Sequence, residues 1–83
     1  MEDQKIKQQI DNVIKQATKT EIEFDGNSKL NEDLGLDSLD VVELVIFLEE
    51  NPINGKYINI EDSEMERLKT IDDIYKLFNK KLN

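Results

Sequence analysis

Ser38, with Asp37 before it and Asp40 two residues after it, is the part of the chain best suited to do chemistry. Asp37 is a good helix N-cap, and Asp40 follows at the third helical position, as in a capping box. Ser38 is then the first helical residue, at the positive end of the helix dipole. A phosphate joined to its hydroxyl would meet free backbone N–H groups there. Asp37 could hydrogen-bond such a group, or hold a metal ion on an incoming enzyme. The plainer alternative leaves Ser38 a bystander that merely shares capping with Asp37.

The rest of the inventory speaks against catalysis. The chain of 83 residues contains no His and no Cys. The commonest general base and metal ligand is therefore missing, as are the thiolate nucleophile and the disulfide. An all-carboxylate metal site would be hard and weak. No catalytic residue and no metal ligand of the chain's own is expected. Residues 1–83 suffice for a single domain with a small core, too small for a deep, water-excluding active site.

The net charge of −8 is the opposite of the basic footprint that nucleic acid requires, and it disfavours anionic membrane surfaces. It is unevenly spread. Between Lys29 and Lys56 there is no base, but there are seven acids: Glu32, Asp33, Asp37, Asp40, Glu43, Glu49 and Glu50. Basic protein surfaces are the natural partners; a merely solvated acidic face is the alternative. No apolar run approaches the ~18 residues of a membrane span. The charged start, Met1 to Gln9, resembles neither a secretory signal nor a transit peptide. A cytoplasmic or already processed protein is the simplest reading, and a monomer is expected.

Hydropathy and turn signals along the chain place Ser38 among four helices. Ile6, Ile10, Val13, Ile14 and Ala17 share one face of a helix from about Asp3 to Ala17. Thr18 to Asp37 reads as a long connection with Gly26 and Gly35 at turns. Ile22, Phe24, Leu30, Leu34 and Leu36 should pin it to the bundle. A second helix runs from Ser38 to about Glu50, stopped by Pro52. Asn54-Gly55 suggests a short hairpin-like excursion. Glu61 to Leu68 suits a short third helix with Met65 and Leu68 inward. Thr70 caps a fourth, with Asp73 as box partner and Ile71, Ile74, Tyr75, Phe78 and Leu82 on its face. Lys76, Lys80 and Lys81 would complement its dipole. The fold class is all-α: a four-helix bundle with a short third helix and a long loop between helices one and two.

The second helix has two apolar sides. At about 100° per residue, Val41, Leu44, Val45 and Leu48 fall on one side and Leu39, Val42 and Ile46 on the other. Glu43, Glu49 and Glu50 flank the second stripe. A small bundle does not easily bury both. An apolar strip rimmed with carboxylates suits docking to a basic partner; a more central, fully buried helix is the alternative.

The string Glu32-Asp33-Leu34-Gly35-Leu36-Asp37-Ser38-Leu39-Asp40, continued by Val41 to Glu50, resembles the phosphopantetheine attachment motif of acyl carrier proteins. Ile60 to Leu68, Thr70-Ile71 and the terminal helix also resemble the family, so the likeness covers nearly the whole chain. It implies a single acyl carrier domain. A separate phosphopantetheinyl transferase would move 4′-phosphopantetheine from coenzyme A to the Ser38 hydroxyl, with Asp37 helping to place that enzyme's metal ion. The arm would hold acyl groups as thioesters and present them to acyl-processing enzymes with basic patches. The resemblance implies docking through Leu39, Asp40, Val42, Glu43, Ile46 and Glu49.

Two departures point to a specialised carrier. The Asn51–Asn59 segment is longer than is usual in the family, and Ile46 stands where many members have the more adaptable Met. Fatty-acid or related acyl biosynthesis is the leading reading. An aminoacyl or polyketide carrier, or a cofactor-free acidic helical adaptor, are the alternatives. A calcium sensor is disfavoured, because the acids from Glu32 to Asp40 lack the spacing of a calcium-binding loop.

Overall fold

The computed structural model describes residues 2–19 and 23–82. Four helices follow in order: α1 (Glu2–Thr18), α2 (Ser38–Glu50), α3 (Asp62–Met65) and α4 (Ile71–Leu82). The expected all-α bundle with a long first connection is therefore observed.

Each long helix forms where an apolar stripe can be buried. α1 buries Ile6, Ile10, Val13 and Ile14, α2 buries Leu44, Val45 and Leu48, and α4 buries Ile71, Ile74, Tyr75 and Phe78. Among the described residues the core holds no charged side chain. The Tyr75 hydroxyl reaches its edge and donates to Asp11 Oδ1 at 2.5 Å, joining α4 to α1. The start of α4 is closed by a reciprocal box: Asp73 Oδ2 accepts from Thr70 N at 3.0 Å, and Thr70 Oγ1 accepts from Asp73 N at 3.2 Å.

The long connection is sewn to the base of α4. Leu30 N donates to Lys69 O at 2.9 Å, Ile71 N to Ser28 O at 3.0 Å, and Asp72 N to Gly26 O at 2.9 Å. Leu30 and Leu36 are buried, and Phe24 and Leu34 pack half-buried against the core. Ile22 lies outside the described residues. These ties remove the loop's freedom just before Ser38.

Asn54 and Gly55 both adopt positive φ, 54° and 77°. Ile53 and Lys56 exchange backbone hydrogen bonds of 2.9 and 3.0 Å across them. This is the tight reversal that an Asn-Gly pair favours. Ile53 itself is buried, so the excursion is rooted in the core.

α3 is shorter than the expected Glu61–Leu68. It ends at Met65, and the chain tightens: Arg67 N donates to Glu64 O, and Leu68 N to Met65 O, both at 3.1 Å. These three-residue steps turn Leu68 into the core, which a continued α-helix would not do before the cap at Thr70.

Candidate functional site

Asp37 is the N-cap of α2, with φ −90° and ψ −174°. Its Oδ1 accepts from Asp40 N at 2.8 Å, and Asp40 Oδ2 accepts from Asp37 N at 3.1 Å. The box closes two backbone donors and leaves those of Ser38 and Leu39 outside it. Immediately upstream, Leu36 is buried and donates its N–H to Leu30 O at 3.0 Å. Gly35 makes the bend before it at φ 71°, a conformation that costs a residue with a Cβ more than it costs glycine. Ser38 therefore sits between an anchored core residue and a closed cap, and it is exposed. The helix dipole favours negative charge at that place.

A half-open cavity of about 510 Å³ lies beside Ser38. Its apolar wall comes from Leu30, Leu36, Val41, Val42, Met65 and Leu68, contributed by the long loop, α2 and the segment beginning in α3. Asp37 and Ser38 line the same space. A group tethered at Ser38 would thus have an apolar surface within reach, with a carboxylate beside its anchor.

The second stripe of α2 is exposed at both ends: Leu39 keeps 64% of its surface and Ile46 49%. Val42, between them, is half-buried and turns into the cavity wall. The fully buried alternative for this stripe is therefore set aside. Glu43 and Asp37 are exposed, and Asp40 is half-buried. Glu49 has a different task from a free rim charge. It is half-buried, and its Oε2 accepts from Ile60 N at 2.8 Å. A carboxylate late in α2 thereby holds the strand of chain entering α3.

Two further features escaped sequence reasoning. Tyr57, in the Asn51–Asn59 excursion, is 69% exposed. Lys81, expected only to balance a dipole, contacts Glu64 Oε1 at 2.7 Å and Asn59 O at 2.6 Å. No signal along the chain links residues so far apart. The Glu64 carboxyl is held below its ordinary value of 4.5, by the Lys81 hydrogen bond first and the Glu61 N–H second. Burial opposes ionisation of Asp73, yet the N–H groups of Lys69 and Thr70 and the Thr70 hydroxyl bring it below 3.8 overall. Among the described residues no group of three or more acids is placed to hold a metal ion, and no helix is long and apolar enough to cross a membrane.

No family model matches the chain. It is 56% identical over 48 residues to the acyl carrier protein of Campylobacter concisus, a match covering 57% of this chain and 56% of that protein. In that match the chain spans little more than half of its relative's length. It is 47% identical over 62 residues to the acyl carrier protein of Wolinella succinogenes, covering 75% of this chain and 76% of the relative. It is 44% identical over 63 residues to that of Helicobacter hepaticus, covering 75% and 76%. Among solved structures, a putative acyl carrier protein from Mycobacterium tuberculosis superposes with a TM-score of 0.76 at 25% identity, over 90% of this chain and 96% of that one.

Proposed function

Since the chain belongs to the acyl carrier protein family, we propose that it carries acyl groups on a 4′-phosphopantetheine arm attached to Ser38, in fatty-acid or related acyl biosynthesis. The observation that carries this reading is the exposed Ser38 at the start of α2, lining a cavity of about 510 Å³ that has an apolar wall. The residues present fit the group. The phosphate would lie at the positive end of α2, and the cavity wall suits hydrocarbon. When attached, the arm supplies a thiol that holds acyl groups as thioesters.

Every other part is played by the chain itself. Ser38 is an acceptor for a separate phosphopantetheinyl transferase, and the chain is a carrier rather than a catalyst. Asp37 helps that enzyme to place its metal ion. Leu39, Val42 and Ile46 give contact area to acyl-processing enzymes, while Asp37, Asp40 and Glu43 steer their basic patches. Rim charges of this kind set association rate more than final affinity. Glu49 contributes by holding the chain behind the docking face. The apolar wall favours an alkyl acyl group over an aminoacyl one. The carrier works as a monomer in the cytoplasm.

The test is intact mass after incubation with coenzyme A, magnesium and a broad-specificity phosphopantetheinyl transferase. One phosphopantetheine should add to the native chain and none to Ser38→Ala. A folded native chain that gains nothing would favour a cofactor-free adaptor.

A further inference from the structure

α3 has only a weak anchor of its own, the partly buried Met65 that packs against the core. It is four residues long and none of them is buried, whereas α1, α2 and α4 each bury a stripe. Hydrophobic burial gives most helices their tertiary stability, and one isolated turn has little of its own. Yet α3 ends in Met65, which lines the cavity beside Ser38 together with Leu68.

Polar ties add to that single apolar contact. Glu61 N donates to Glu64 Oε1 at 3.0 Å, which closes the turn on itself but seats it on nothing. Ile60 N donates to Glu49 Oε2, which secures the approach to the turn. The tie between α3 and α4 is Lys81. Its ammonium lies 2.7 Å from Glu64 Oε1 and donates to Asn59 O at 2.6 Å. One cation from the last turn of α4 thus grips both the chain entering α3 and α3 itself. The pair is less exposed than the others: its side chains are 24% and 22% exposed, against 45–74% for Lys29–Glu32 and Lys76–Asp72. Lower exposure and two simultaneous acceptors raise such a contact above an ordinary surface ion pair.

The far side of the same wall is fixed differently. Leu68 is buried, and Lys69 O accepts from Leu30 N. The wall is therefore fastened by burial and backbone at Leu68–Thr70, while at the other end Ile60 is rooted by burial and by Glu49, and the turn beyond it, at Glu64, is tied to α4 by Lys81. Loss of the brace would let the α3 end swing about the Leu68 end.

We infer that Lys81 is a positioning residue for acyl sequestration: it braces the α3 wall of the cavity beside Ser38 and so sets how well an acyl chain in the cavity is shielded from outside nucleophiles. The acyl part rests on the carrier function proposed above; the brace itself does not.

The first test uses the unmodified chain. Amide hydrogen exchange is compared among the native protein, Lys81→Met, which keeps the aliphatic stem, and Lys81→Arg, which keeps the charge. In Lys81→Met the amides of Met65, Glu66 and Arg67 should exchange roughly tenfold faster, with those of Leu48 and Phe78 unchanged. Lys81→Arg should stay near native. Native rates in α3 of Lys81→Met, or equal acceleration throughout the chain, would overturn the brace. The second test uses the phosphopantetheinyl transferase and magnesium to move acetyl- or octanoyl-phosphopantetheine from the acyl-coenzyme A to the Ser38 hydroxyl, releasing adenosine 3′,5′-bisphosphate, and follows thioester cleavage by neutral hydroxylamine. The octanoyl form should be cleaved several-fold more slowly than the acetyl form in the native chain, and Lys81→Met should narrow that gap. A gap untouched by Lys81→Met would overturn the shielding role. Failure of the native chain to load at all would instead remove the carrier function and the shielding role with it, leaving the exchange rates to decide the brace.

Discussion

Asp37 and Asp40 cap α2 reciprocally, each carboxylate accepting the other's backbone N–H, at 2.8 and 3.1 Å. The two acids proposed to meet partner enzymes therefore also build the turn that presents Ser38. Structural and recognition roles coincide, and substitutions must be chosen to separate them.

Serine caps helices about as well as aspartate. Asp37→Ser should thus melt within ~0.5 kcal/mol of the native chain, while its rate of phosphopantetheine loading falls by roughly tenfold or more through loss of the carboxylate. Asp40→Ala removes half of the box and should cost about 1 kcal/mol of stability. Thermal melts beside a loading time course check both. Full-speed loading of Asp37→Ser would reduce Asp37 to a cap.

The two sides of α2 should respond oppositely. Leu48 is fully buried, so Leu48→Ala should cost about 2–5 kcal/mol. That is a large part of the ~5–15 kcal/mol available to a small domain. Leu39→Ala and Ile46→Ala lie on the exposed strip and should shift stability by no more than ~0.5 kcal/mol. Denaturant titration separates the two classes. Destabilisation by Ile46→Ala as large as that by Leu48→Ala would mean the strip is packed rather than open.

Salt should stabilise the fold. Seven acids and no base lie between Lys29 and Lys56, so their mutual repulsion opposes folding most at low ionic strength. Raising sodium chloride from ~10 to ~300 mM should raise the melting temperature by several degrees. A flat response would show that the patch is already neutralised within the fold.

Acid should undo the ties at Glu64 and Asp73 specifically. Both carboxyls are lowered in the folded chain, so their stabilisation is present above the ordinary values of 4.5 and 3.8 and is lost as pH falls through the lower folded values. The stability advantage of native protein over Lys81→Met should hold from neutrality to about pH 5 and shrink below about pH 4. Urea midpoints across that range give the difference directly. An advantage that persisted undiminished at pH 2 would exclude Glu64 as the partner.

Much of this architecture was readable from residue order because it is local. Ile6, Ile10, Val13 and Ile14 recur at helical spacing, Asp37 with Asp40 and Thr70 with Asp73 announce two caps, and Asn54-Gly55 announces a reversal. The cap that leaves Ser38 exposed is legible for the same reason, whereas the role proposed for Ser38 rests on the resemblance of the motif around it. What escaped depends on partners distant in sequence. Glu49 looks like a free rim charge until Ile60 is brought beside it. Lys81 looks like a dipole complement until α4 lies against Asn59 and Glu64. The length of α3 was overestimated because Leu68 must be delivered to the core before Thr70 caps the next helix, a demand made by packing rather than propensity. Periodicity alone does not say whether the second stripe of α2 is exposed or also buried; the exposure of Leu39 and Ile46 decides it.

The stitching of Ser28 and Leu30 to Lys69 and Ile71 carries a consequence in time. The cap around Ser38 is local and can form as soon as α2 does. The floor beneath it cannot, because Leu30 hangs from the backbone of residues some forty positions later in the chain, and closing so long a loop comes late in folding. During synthesis, a chain emerged only through α2 would show the serine without the surface that surrounds it. A modifying enzyme that reads that surface as well as the serine would act only once the start of α4 has left the ribosome, so the order of translation itself would act as a proofreading step.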